Sequence, residues 1–239
     1  MSVMVLTGTG TGVGKTVVTA AVAALARDRN RSVAVLKPAQ TGVGPDEPGD
    51  LEEIGRLAGP EVTTWELGRF PDPLAPNTAA RRAGRPPVTP SQAAAAAVEL
   101  SRGHDQVLIE GAGGLLVRFD DDGGTLADVA WSIGAPVLIV ADARLGTLNA
   151  TALTAEELRR RGIACAGIVV GAWPAEPDLT ARCNLDDLPL VADAPLVGAV
   201  PENAATLTRQ EFLEVARRSL APEFGGEFDA NGFAAEFAA

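Results

Sequence analysis

The sequence predicts one α/β domain built on a mostly parallel sheet with helices on both faces. Short, continuous apolar runs alternate with longer helical stretches along the chain, as strands buried on both faces require. A glycine-rich loop separates the first run from the first helical stretch. Apolar residues make up 46% of the 239 positions, enough to fill a sizeable core and to exclude wholesale disorder.

Val3–Thr7 is the first strand, and Val17–Arg27, apolar on nearly every side, is a helix packed between layers. Ser32–Lys37 is a second strand, followed by a Gly-, Pro- and Asp-rich stretch over 42–50 and a short helix at Leu51–Leu57. Residues 59–88 are proline-rich with little periodicity and are expected as an irregular surface excursion. Thr89-Pro90-Ser91-Gln92 is a capping box with proline at the first helical position, opening an alanine-rich helix to about Arg102. Val107–Glu110 and Pro136–Ala141 are strands. Thr147–Arg161 is a helix with Glu156/Arg160 and Glu157/Arg161 pairs, stopped by Gly162. Ile163–Val170 and Val197–Val200 are the last strands, and Thr208-x-x-Glu211 caps a final helix. The domain is expected over residues 1–221, with 222–239 an acidic, Phe-bearing tail that either docks or stays loose.

Lys plus Arg total 20 against 31 Asp plus Glu, a net charge of −11. Such a balance argues against sequence-independent nucleic-acid binding, which runs on a cationic surface. Glu223, Glu227, Asp229 and Glu236 concentrate acid in the tail, so the rest of the chain is only moderately acidic. No apolar run approaches the ~20 residues of a membrane helix, and no charged segment precedes the short Val3–Leu6 run. Neither a membrane span nor a signal peptide is expected. Cys165 and Cys183 make neither a disulfide framework nor a metal knuckle, and the single His104 excludes a multi-histidine site. A cytoplasmic protein is expected.

Chemistry concentrates in Gly8-Thr9-Gly10-Thr11-Gly12-Val13-Gly14-Lys15-Thr16, between the first strand and the first helix. Glycines let backbone N–H groups curl around an anion, and the helix N-terminus adds positive potential. Lys15 supplies a cation, and the Thr16 hydroxyl can ligate Mg²⁺. The strict phosphate-loop pattern G-x-x-x-x-G-K-[ST] needs glycine at position 9, which is Thr9. The strand–loop–helix context is nonetheless the one the motif demands, and G-x-G-x-x-G fits these glycines at no offset. The segment is a nucleoside-triphosphate loop, and the fold expected around it is P-loop NTPase-like.

In an open parallel sheet, ligands bind beyond the carboxyl ends of the strands. The second strand there delivers Lys37, then Gln40 and Thr41; the third delivers Glu110 and Gly111-Ala112-Gly113-Gly114. A carboxylate at that place can hold Mg²⁺, directly or through water. On spacing alone Asp50 is the N-cap of the helix at Leu51, and Asp142 caps or turns the chain. Trp65, Trp131 and Trp173 are expected in packing, and His104 in a solvated polar turn.

Four blocks in this order resemble those of the dethiobiotin synthetase family: Thr7–Thr16, Lys37-Pro-Ala-Gln-Thr-Gly42, Glu110-Gly-Ala-Gly-Gly114 and Arg144-Leu-Gly-Thr-Leu-Asn149. The match in order and spacing continues to about Pro201, and the shifted phosphate loop is that family's ordinary form. The resemblance implies a Mg²⁺-dependent, ATP-driven closure of 7,8-diaminopelargonic acid with CO₂ to dethiobiotin, in biotin biosynthesis. One amine is carbamoylated, the carbamate attacks the γ-phosphate, and the second amine displaces phosphate. Lys15 and Lys37 are then the catalytic cations. Nucleotide contacts are implied at Gly12, Val13, Gly14, Lys15, Thr16 and Val17, at Asp50, at Glu110, Gly111, Ala112 and Gly113, and at Gly171, Ala172, Ala199, Val200 and Pro201. Thr11, Lys37, Thr41, Leu145, Gly146 and Asn149 match substrate-contacting positions, and Thr16, Asp50 and Glu110 match Mg²⁺-binding ones. Leu145–Asn149 would serve the partner's site in a homodimer.

This chain departs from the family at two places. Some members carry an acid where Gly12 stands. Adenine-reading members carry asparagine where Gly171 stands, so another triphosphate such as CTP is expected to serve as well as ATP. Rival classes lack their marks. A partition- or positioning-type ATPase switch carries a second lysine where this chain has Gly10. A cobyrinate amidation-class synthetase appends a glutaminase domain, and a GTPase needs N-K-x-D.

Overall fold

The computed structural model describes residues 2–237, so the last two residues of the expected tail lie outside it. Among the described residues, seven parallel strands form one sheet in the order β3-β2-β4-β1-β5-β6-β7. They are β1 (Ser2–Gly8), β2 (Val33–Thr41), β3 (Thr63–Phe70), β4 (Gln106–Gly114), β5 (Val137–Ala141), β6 (Cys165–Trp173) and β7 (Leu196–Pro201). Alternate side chains of each strand enter opposite cores, as strand geometry dictates. Leu6, Val35, Leu108, Leu138 and Val169 face α1 (Lys15–Asp28), α2 (Asp50–Ala58) and α8 (Arg209–Ser219). Val5, Leu36, Ile109, Ile139 and Ile168 face α4 (Pro90–Ser101), α5 (Leu126–Ile133), α6 (Thr147–Arg160) and α7 (Leu179–Ala192). Both faces are covered, and the expected P-loop NTPase-like α/β architecture holds.

The capping boxes at Thr89/Gln92 and Thr208/Glu211 form as their sequences require. Several expectations need correction. The stretch 59–88 is not irregular: it supplies the edge strand β3 and the short helix α3 (Pro76–Arg82). Only Phe70 of β3 is buried, so an edge strand leaves no continuous apolar run to read. Phe70, Ala39, Ala79 and Ala80 pack together and hold α3 against the end of β2. The second strand does not stop at Lys37 but runs through Pro38 to Thr41. Its pairing with β4 ends at Leu36, so the missing Pro38 N–H interrupts no ladder on that side.

α5 and α7 were not expected. α5 is only eight residues long, and α7 carries Pro189 within it. Glu156 pairs with Arg159 rather than Arg160, while Glu157 takes both Arg160 and Arg161, its carboxyl drawn down to about 2 by their hydrogen bonds. Trp65 and Trp131 are exposed rather than packed, only Trp173 of the three being buried, and His104 is not merely solvated: its ring nitrogens bond to the Leu100 carbonyl and the Thr63 hydroxyl.

The tail docks. The Glu227 N–H donates to the Arg217 carbonyl and the Phe228 N–H to that of Leu220, and Phe224 and Phe228 are buried. A last helix, α9 (Ala230–Glu236), follows.

Candidate active site

β1 ends at Gly8 and α1 begins at Lys15, so the loop between them lies at the carboxyl end of the sheet. Gly14, the N-cap of α1, has φ 93°, a conformation that glycine adopts without penalty. Two close approaches seat this loop. A Cβ at Gly14 would overlap the Gly171 carbonyl oxygen, and a Cβ at Gly171 would overlap that of Val13 and lie 2.5 Å from Val140 Cγ1. The loop therefore rests directly on the backbone of β6. The Lys15 ammonium turns back to donate to the Gly10 carbonyl at 3.1 Å.

Beside the loop lies a buried charge cluster. β2 and β4 are neighbours in register through Leu36 and Ile109, so the next residues, Lys37 and Glu110, fall side by side. Lys37 Nζ donates to Glu110 Oε1 at 2.8 Å and to the Gly111 carbonyl at 3.2 Å, and forms an ion pair with Asp50. Thr16 Oγ1 donates to the same Glu110 oxygen at 3.0 Å. Lys37 is 2% exposed and Glu110 0%. Burial alone would push the Lys37 ammonium down, but the charges of Glu110 and Asp50 outweigh it and hold it above its ordinary value. Burial likewise opposes the Asp50 carboxylate, yet the Lys37 charge and hydrogen bonds from Lys37 and Thr16 keep it below the usual range. Lys15 is pushed down by burial and by the Lys37 charge, against the pull of Glu110 and Asp50.

Asp50 is not a helix cap: Gly49 holds that position, and the Asp50 N–H is taken by Gln40 Oε1 at 3.0 Å. Its side chain is free to meet Lys37.

The cleft over this cluster has a volume of about 760 Å³. Of the residues singled out from sequence, Thr11, Gly12, Gly14, Lys15, Thr16, Lys37, Thr41, Asp50, Gly111, Ala112 and Gly113 line it. Gln40, expected at the end of the second strand, lines it too, but sequence reasoning missed its apolar wall, Val43, Pro73, Leu74, Ala75, Pro76 and Val117. The Pro73–Pro76 wall comes from the misread stretch, drawn in where the Gly42 N–H donates to the Phe70 and Asp72 carbonyls. No local signal marks it.

A second cleft of about 440 Å³ opens on the far side of the loop, lined by Gly12, Val13, Ala172, Asp142, Arg144, Glu176, Asp178 and Glu202 among others. Only the first three had been singled out for binding. Asp142, which does turn the chain by accepting the Arg144 N–H at 2.9 Å, and Glu202 follow strand ends, and that position could have flagged them. Ala199 and Val200 do not join either cleft; their side chains sit in the two cores. Val17 packs on the α1 side. Leu145, Gly146 and Asn149 lie on the surface and line neither cleft, Leu145 being 90% exposed.

Gly171→Ala should keep the fold and weaken triphosphate binding about fivefold or more, as the roughly 1–3 kcal/mol of such overlap falls on the loop. Equilibrium binding of ATP, with circular dichroism on the same samples, checks this; unchanged affinity would contradict the seating.

A phosphate loop, a buried lysine–carboxylate cluster and a two-sided cleft suit an enzyme that spends a nucleoside triphosphate on a second substrate. A family profile described as an AAA domain matches residues 2–210. In fold, the chain is similar to the cell-division ATPase MinD of Pyrococcus furiosus, with TM-score 0.58 and 20% identity over 90% of this chain and 97% of that one. A ParA family ATPase from Chlorobium tepidum gives 0.57 and 14% over 98% of each. Sequence relatives are far nearer. The ATP-dependent dethiobiotin synthetase of Streptomyces avermitilis is 63% identical over 99% of both chains. That of Saccharopolyspora erythraea is 66% identical over 95% of this chain and 99% of its own. With such identity along nearly its whole length, and with three of the four sequence blocks gathered around one cleft, the chain belongs to the dethiobiotin synthetase family.

Proposed function

We propose that this chain is an ATP-dependent dethiobiotin synthetase, closing the ureido ring of dethiobiotin from 7,8-diaminopelargonic acid, CO₂ and a nucleoside triphosphate. The observation that carries the reading is the junction of the phosphate loop with the Lys37–Glu110–Asp50 cluster beneath an apolar-walled cleft. One substrate amine takes up CO₂ as a carbamate. A carbamate oxygen then attacks the γ-phosphate, expelling the nucleoside diphosphate. The second amine displaces phosphate from the mixed anhydride and closes the ring.

The first attack brings two anions together, so fixed positive charge must offset their repulsion. Lys15 lies against the loop and would bridge phosphate and carbamate once it leaves the Gly10 carbonyl. Lys37 faces the same cleft and would steady carbamate and γ-phosphate. Thr11 and Thr41, which line that cleft, would hydrogen-bond the diamine, and Val43, Leu74 and Val117 would take its alkyl chain. No covalent nucleophile is required.

Thr16, Asp50 and Glu110 would hold Mg²⁺. Glu110 Oε2 is buried without a hydrogen-bond partner, and two carboxylates with a hydroxyl are the hard oxygen donors this ion takes alongside phosphate and water. Bound there, the ion would offset charge on the phosphates. Turning Lys37 toward an anion in the cleft frees its two carboxylates for that role.

The test is phosphate release with and without 7,8-diaminopelargonate, bicarbonate and Mg²⁺. Release should require the diamine; release that ignores it would favour an ATPase switch. Lys15→Ala or Lys37→Ala should cut turnover by about 10²–10³, the scale of one lost electrostatic donor, Lys37→Ala being assayed at a temperature where circular dichroism shows it folded. Near-normal turnover of folded Lys37→Ala would remove it from the reaction.

Gly171 carries no amide, and its position under the loop leaves no room for one. Base discrimination therefore falls to the backbone around Gly171–Trp173 and Ala199–Pro201, and at least one other triphosphate, CTP foremost, should serve comparably to ATP. Titrating the four common triphosphates checks this; a hundredfold preference for ATP, roughly 2.7 kcal/mol, would contradict it.

The working unit we infer is a homodimer. Leu145 is 90% and Leu153 64% exposed, and Asn149 and Leu153 share a face of α6. From there Asn149 and the first amides of the helix would reach the partner's substrate carboxylate. Mixing Asn149→Ala with Lys15→Ala protein should restore part of the activity, because shared sites leave one site free of both defects. No recovery despite subunit exchange would mean each subunit builds its own site. No described helix is long and apolar enough to cross a membrane. With both cysteines free, we place the protein in the cytoplasm.

A further inference from the structure

We propose that the C-terminal aromatic helix is a working part of the nucleotide site, holding the wall against which the base lies; this rests on the triphosphate reading above. β6 ends in Gly171-Ala172-Trp173. Gly171 carries the phosphate loop, and Ala172 lines the second cleft. Trp173 is 6% exposed and belongs to the core beneath that wall. Its backbone carbonyl accepts the Glu202 N–H at 2.8 Å, and the Glu202 carboxylate, in the same cleft, accepts the Ala175 N–H at 3.1 Å. Trp173 is thus the point where the two strand ends bordering this cleft are joined.

What fixes the indole is packing alone. Its N–H is buried and has no hydrogen-bond partner, so no directional bond sets the ring's orientation. The rings of Phe233 and Phe237 lie against it, at centroid distances of 5.3 and 5.2 Å and tilts of 67° and 58°. Phe228 backs Phe233 at 5.1 Å. These are tilted and edge-to-face arrangements of the kind aromatic rings favour. α9 buries no residue fully; its Ala230, Phe233 and Ala234 pack half-buried against the edge of the main core, beside Trp173. A defect at Phe233 should be felt in the second cleft before it is felt in the fold.

The test uses the full-length protein with Phe233→Ala. The KM for ATP, and for CTP, should rise about three- to tenfold, the range that a lost aromatic contact reaches when fully transmitted. The KM for the diamine and kcat at saturating nucleotide should not change, and Phe233→Tyr should restore the nucleotide KM. A lowered melting temperature with an unchanged nucleotide KM would overturn the proposal, as would equal losses for both substrates. If Phe233→Ala does not fold, Phe237→Ala, at the half-buried outer ring, carries the same comparison. In a Trp65→Phe/Trp131→Phe background, Trp173 emission reports triphosphate binding without turnover. A chain that binds ATP but never releases phosphate on diamine addition would defeat the synthetase reading and leave this one measurable.

Discussion

The buried contact of Lys37 with Glu110 and Asp50 is the constraint on which the site depends. Charges removed from water cost several kcal/mol each in effective terms, and Glu110 is fully buried. Nothing but a matched partner makes such a position tenable. The register of β2 on β4 supplies that partner, and α2 brings Asp50 to the other side of the ammonium. Thr16, in the first turn of α1, completes the cluster by bonding the same Glu110 oxygen. Two strands and two helices are thereby fixed against one another at the place where phosphate chemistry would occur. The ordering of the cluster is inseparable from the ordering of the sheet.

The phosphate loop divides what lies above that cluster. On one side is the larger cleft, with apolar walls and the lysines at its base. On the other is a smaller, acid-lined cleft floored by the end of β6. A loop free to move could not keep the two apart, and its freedom is limited by Gly14 and Gly171 meeting without side chains. The same close meeting that seats the loop leaves no room for a side chain at position 171. In the proposed reading, seating and base selection would be two effects of one glycine.

Much of this was legible in the sequence because its signals are local. A loop of glycines ending in Lys15-Thr16 declares its chemistry within one segment, and the buried strands declare themselves by unbroken apolar runs. What escaped was non-local. Asp50 looked like a helix cap because spacing cannot report a lysine on a neighbouring strand. β3 and α3 were hidden because an edge strand shows little apolar pattern and a seven-residue helix shows no period. The residues of the second cleft come from four strand ends and the segments after them, and no single stretch carries their sum. Whether the tail docks or stays loose is not legible locally, because the target of its phenylalanines, Trp173, lies in another part of the chain.

The central claim is that Lys37 and Glu110 are energetically one unit. The direct measurement is a double-mutant cycle in stability, comparing Lys37→Met, Glu110→Gln and the pair by urea unfolding. Removing one partner of a buried pair typically costs about 3–5 kcal/mol. Lys37→Met should therefore be strongly destabilising, and adding Glu110→Gln should recover part of that loss even though it removes a second native group. Strictly additive losses would show that the two residues stand independently, and would contradict the account.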